Sequence, residues 1–88
     1  MDVLIVVSGV SDYAAFRKVF DEDALDRAKF CSSMTAGLLD GHQVAIIGYG
    51  VDMPAMGAFM GTPEFAERTK GIQDGVTVYQ LSEMAPPA

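Results

Sequence analysis

The stretch Val3-Leu4-Ile5-Val6-Val7 is apolar at every position. Side chains of a strand alternate between the two faces of its sheet, so a run without alternation is a strand covered on both sides. That demand is heavy for a chain of 88 residues, which makes one domain with no room for a second core. The hydrophobic class reaches 50% of residues and charged residues 20%, a surplus of apolar surface for a small monomer. A second copy of the chain is one way to provide the missing cover, and an oligomer is expected on that ground.

The remaining elements follow from local signals. Ser11 or Asp12 offers an N-cap. Tyr13, Phe16, Phe20 and Ala24 then recur at helical spacing, with Arg17, Lys18, Asp21 and Glu22 between them, which predicts an amphipathic helix reaching about Ala28. Two strands are expected over Phe30 to Leu39 and His42 to Val51, joined by Asp40-Gly41 as a two-residue turn. That register pairs Leu39 with His42, Ala36 with Ala45 and Met34 with Ile47, and leaves neither sheet face polar. Asp52 caps a second helix carrying Met53, Met56, Phe59 and Met60. Gly61 interrupts it, and Thr62-Pro63-Glu64 restarts it with Thr as cap and Pro at the first helical position. Asp74-Gly75 turns the chain into a last strand, Val76 to Leu81.

Two βαβ halves with right-handed crossovers, joined by a hairpin, specify an α+β domain of ferredoxin-like βαββαβ order. The expectation is a four-stranded antiparallel sheet with two helices on one face, over residues 1–84, and a flexible tail over 85–88. The uncovered face then calls for a partner, and a homodimer through that face is the main structural expectation.

Several functions are disfavoured. The net charge of −6 repels phosphate backbones, so no nucleic-acid partner is expected. No apolar run approaches the ~20 residues of a membrane span. The single cysteine, Cys31, permits no intrachain disulfide and suits a reducing, cytoplasmic setting. It reads as a small apolar filler at a strand start. One Cys and one His without a spaced partner give no metal site, and no cofactor is expected. Gly48-Tyr49-Gly50 fits neither phosphate-loop pattern and is better explained by a bulge or a close approach of the second helix. Asp21, Glu22, Asp23 and Asp26 lack calcium-loop spacing and read as a solvated helical surface neutralised by nearby Arg and Lys. His42 is the single histidine and the obvious acid–base candidate by residue type, but a hairpin end is a wet position.

The Met53, Met56 and Met60 stripe with Phe59 is the most suggestive feature. It serves as packed core, and methionines also adapt to ligands of varied shape. A cavity between helices and sheet is expected from Tyr13, Phe16, Phe20, Met56, Phe59 and Met60. Tyr49 or Tyr79 would supply a phenol, and Arg17 or Arg68 a cation at the mouth. Such a site suits a small apolar or aromatic ligand.

Val10-Ser11-Asp12-Tyr13-Ala14-Ala15-Phe16, with Val19-Phe20-Asp21-Glu22 after it, resembles the first helix of small dimeric α+β barrel proteins related to the antibiotic-biosynthesis monooxygenases. Ala58-Phe59-Met60-Gly61-Thr62-Pro63-Glu64-Phe65 and Lys70-Gly71-Ile72 resemble the second-helix segment of the same group. The resemblance implies a homodimeric barrel with a pocket in each subunit. Its members include cofactor-free oxygenases of aromatic polyketides, haem-degrading enzymes and isomerases. Catalytic members rely on pocket Trp, Asn or His; this chain has no Trp and no Asn, so no catalytic residue carries over. Three functions remain open: small-molecule binding without defined activity, a cofactor-free monooxygenase, cyclase or isomerase, and a ligand-sensing regulatory module.

Overall fold

A computed structural model of the chain describes residues 1–82. The expected tail over 85–88 lies outside the described residues. The elements run β1 (Asp2–Ser8), α1 (Tyr13–Glu22), α2 (Ala24–Arg27), β2 (Ser33–Leu39), β3 (Gln43–Tyr49), α3 (Met53–Met60), α4 (Pro63–Thr69) and β4 (Gly75–Leu81). The strands form one four-stranded sheet in the order β2-β3-β1-β4, and all neighbours are antiparallel. The expected α+β, βαββαβ architecture is therefore present.

Local chemistry explains the helix limits. The Asp12 side chain accepts from the Ala15 amide at 3.1 Å and starts α1. Asp52 does the same for α3 through Ala55 at 3.2 Å. Thr62 caps α4 by accepting from the Phe65 amide at 3.2 Å, while its hydroxyl donates back to the Phe59 carbonyl at 2.9 Å. One hydroxyl thus closes α3 and opens α4, and the helix restart expected at Gly61 to Pro63 is a two-helix corner. The first helical segment breaks at Asp23, whose φ of −85° and ψ of 1° leave the helical basin before α2 resumes.

The β2–β3 hairpin departs from expectation by one residue. Leu39 pairs with Gln43, Ala36 with Ile46 and Met34 with Gly48. The loop is Asp40-Gly41-His42, and its positive φ angles fall on Gly41 (74°) and His42 (60°). Packing decides between the registers. The β1–β3 pairing turns Val44 and Ile46 toward the helices, where both are buried. The observed register sends Met34 and Ala36 to that side; the two-residue turn would have sent Thr35 and Gly37. The larger apolar burial wins over the local turn preference.

On the helix side the core comprises Val3, Ile5, Val7, Val10, Phe16, Phe20, Phe30, Val44, Ile46, Val51 and Met56. Gly48 belongs to this layer as well. A Cβ there would lie 3.0 Å from Val51 Cγ2 and 3.1 Å from Met34 Cε, so the glycine is required for close approach rather than for a phosphate. The opposite face presents Leu4, Val6, Ala45, Ile47, Tyr49, Tyr79 and Leu81, with Tyr79 51% and Ile47 37% exposed. Val76 and Val78, on the helix side of β4, are also exposed, because the helices stop short of that edge.

Candidate functional site

Four aromatic contacts, in two groups, build walls on the helix side of the sheet. Tyr13, Phe16 and Phe20 stack in sequence along α1 at 6.2 and 6.1 Å between ring centroids. Phe59, from α3, meets Phe30 at 5.5 Å and Phe65 of α4 at 5.3 Å. Between these two aromatic groups lies a cavity of about 80 Å³, floored by Ile5, Val7 and Ile46. Phe16, Phe20, Met56, Phe59 and Met60 all line it. Its size falls well below the ~300–1,000 Å³ of drug-sized sites, so as it stands it admits a single ring or a short branched chain.

The other expected site residues lie elsewhere. Tyr13 packs against the core beyond Phe16 and does not reach the cavity. Arg17 pairs with Asp21 at 3.1 Å and its Nη1 donates to the Ala36 carbonyl of β2 at 3.4 Å, and it is not among the lining residues. Tyr49 and Tyr79 belong to the opposite face of the sheet, so neither phenol enters this cavity. The alternation of a strand decides this: once Val44 and Ile46 point inward, Tyr49 points outward.

Polar groups come instead from the junction of α1 and α2. Asp23 is 4% exposed, which corrects the expectation of a solvated acidic surface for this residue. Its carboxylate accepts from Arg68 of α4, and Arg68 also lies 3.8 Å from Glu22. The rest of the acidic cluster behaves as expected: Asp21 and Asp26 face solvent and pair with Arg17 and Lys29. Burial of one member follows from the helix break, which rotates Asp23 toward α4. Arg68 was expected as a cation at the mouth; here it is the partner of Asp23 and is not part of the lining.

The cation that does line the cavity is Arg27. Its guanidinium stacks on Phe20 with 3.7 Å from Cζ to the ring centroid, and Nη1 donates to the Phe20 carbonyl. Burial pushes its pKa below the usual arginine value, partly countered by Asp23; arginine remains charged throughout. Helical periodicity placed Arg27 on a solvated helix end, and only the break at Asp23 could have signalled otherwise. Cys31 precedes β2, is partly buried, and donates from Sγ to the Arg27 carbonyl at 3.2 Å. Desolvation raises its pKa, opposite to what an activated nucleophile needs. His42 is exposed at the hairpin tip and is not among the cavity-lining residues. Among the described residues no group of His, Cys, Asp or Glu is arranged to hold a metal ion, and no helix is long and apolar enough to cross a membrane.

The whole chain superimposes on two solved structures. One is a protein of Deinococcus radiodurans provisionally named an antibiotic biosynthesis monooxygenase, with a TM-score of 0.60 and 15% identity, covering 100% of this chain and 99% of that one. The other is SnoaB, a cofactor-independent oxygenase from Streptomyces nogalater, with a TM-score of 0.59 and 16% identity, covering 98% of each chain. This chain shares their ferredoxin-like α+β fold. No family model matches the sequence, and no curated protein does. At such identities the ferredoxin-like likeness speaks for architecture over the full length. The chemistry of the cavity has to be read from Asp23, Arg27 and the aromatic walls.

Proposed function

We propose that the protein is a homodimer, formed through the open face of the sheet, that binds a small apolar or aromatic molecule in the cavity of each subunit. The observation that carries the ligand reading is an apolar, aromatic-walled cavity with two charged side chains, Asp23 and Arg27, at its margin. Concave apolar sites with a few placed polar groups are the usual form of small-molecule sites. The dimer reading is supported by the row of Leu4, Ile47, Tyr49, Tyr79 and Leu81 on a face without helices, since contiguous exposed apolar patches mark interaction surfaces. A lone thiol without a disulfide partner among the described residues suits the cytoplasm.

Native mass spectrometry of the gently purified protein tests both parts at once. The expected spectrum shows a dimer, with mass released on activation that corresponds to a small organic ligand. A bare monomer at high micromolar concentration rejects the dimer. An empty dimer that also fails to take up toluene in ligand-observed NMR rejects the cavity.

A second reading is a cofactor-free oxygenase, cyclase or isomerase. It is favoured by the likeness to SnoaB, named as a cofactor-independent oxygenase, and by Asp23, the only carboxylate among the described residues that line the cavity. A buried carboxylate can accept a proton from a bound phenol if Arg68 releases it. Oxygen uptake measured with monocyclic dihydroxyaromatics, compared between the native chain and Asp23→Asn, tests this reading. Uptake lost in the variant supports it, and no uptake by the native chain with any of them rejects it for that substrate class.

A further inference from the structure

The cavity has a neighbour. A second, more polar hollow of about 110 Å³ is lined by Ala24, Arg27, Ala28, Cys31, Ser32, Ser33 and Met34. Arg27 and Met34 line both hollows, so the guanidinium stands on the partition between an apolar compartment and a polar one.

The hydrogen bonding of Arg27 is incomplete. Nη1 donates to the Phe20 carbonyl, while Nε and Nη2 find no acceptor among the described residues. Among the described residues no carboxylate lies within ion-pair distance of it either; Asp23 is taken by Arg68 and Asp26 by Lys29. Arg17, the other arginine near Phe20, is by contrast paired with Asp21. A half-buried guanidinium normally has a carboxylate partner, since desolvating the charge is costly without one. Its free donors also form a planar fork that matches a carboxylate in two-point contact.

We propose that the cavity binds a small aromatic or branched-chain carboxylate, with its apolar body between Phe16, Phe20, Met56 and Phe59 and its carboxylate on the Nε and Nη2 edge of Arg27. This deepens the ligand-binding reading and rests on it. The cavity's volume sets the size, a single ring or a short branched chain. Arg27 sets the charge. The stacking of Arg27 on Phe20 holds the fork in place before the ligand arrives, so little rotamer freedom is lost on binding. The chain's overall negative charge opposes anions at long range, but at physiological salt that field is screened beyond roughly 8 Å. Contact with the desolvated guanidinium dominates at the site.

Three probes of similar shape separate the parts of the proposal: benzoate, its neutral isostere benzamide, and toluene. Binding to the full chain at pH 7.5 is followed by NMR titration. The native protein is expected to bind benzoate at least about tenfold more tightly than benzamide, the scale of a charge-assisted hydrogen-bond pair. Shift changes should centre on Phe20, Arg27 and Met34. In R27Q the preference, read as the ratio of benzoate to benzamide affinity within the same variant, should fall to near unity. R27K serves as the second variant, keeping charge and stem but not the fork, and should lose several-fold in benzoate affinity alone. Equal binding of benzoate and benzamide by the native chain overturns the carboxylate assignment while leaving the cavity intact. So does a preference that survives in R27Q. Failure to bind any of the three overturns both readings together.

Discussion

The two faces of the sheet draw on the same kinds of residue and meet opposite fates. On the helix side Val3, Ile5, Val7, Val44 and Ile46 are sealed beneath α1 and α3. On the other side Leu4, Val6, Ala45 and Ile47 lie one position along the same strands and have no covering element among the described residues. β1 shows this most directly, since its alternate side chains differ only in which face they join. Apolar composition therefore does not decide burial here; the supply of helices does. Beneath α1 and α3 the helix side is closed by the subunit itself, while no element among the described residues buries the open side.

That contrast can be broken from either side. The largest effect is expected for Phe16→Ala, which removes an aromatic ring from the closed side and leaves an enlarged cavity. Chemical denaturation should show a loss of about 3–5 kcal/mol. Ile47→Lys acts on the open side. In a lone subunit such a surface change alters stability by no more than about 0.5 kcal/mol. If the face is an interface, analytical ultracentrifugation should show the dimer collapsing to monomers. An unchanged sedimentation coefficient would mean that the open face is not where subunits meet. Thr62→Ala sharpens the account of the closed side by removing the cap that joins α3 to α4, with an expected cost of about 1 kcal/mol. Met60→Trp should have the smallest effect on stability, since Met60 is only partly buried at the cavity edge. It should nonetheless block toluene uptake with the oligomeric state preserved; ligand-observed NMR reads the outcome.

Element order was legible because each boundary carries its own chemistry: the caps at Asp12, Asp52 and Thr62, the unbroken run in β1, and the glycine at the hairpin. The aromatic and methionine positions at the cavity were legible from helical spacing. What the spacing could not convey was register and breakage. Asp40-Gly41 is a genuine turn signal, yet the long-range demand to bury Met34 and Ala36 extended the loop to include His42. Tyr49 was excluded from the cavity separately, by the alternation along β3 that turns Val44 and Ile46 inward. Asp23 and Arg27 were hidden for a different reason. They sit where a single periodic pattern becomes two short helices, and a continuous helix would have kept both in water.

β4 is an edge strand, uncovered on most of both faces, and Gly75-Val76-Thr77-Val78-Tyr79-Gln80-Leu81 contains neither a charge nor a proline. Nothing within the strand itself discourages strangers from docking their own backbone along its free rim. Solubility in the crowded cell is therefore bound up with occupancy of this border. An element that shields it would act as a safeguard against fibre growth.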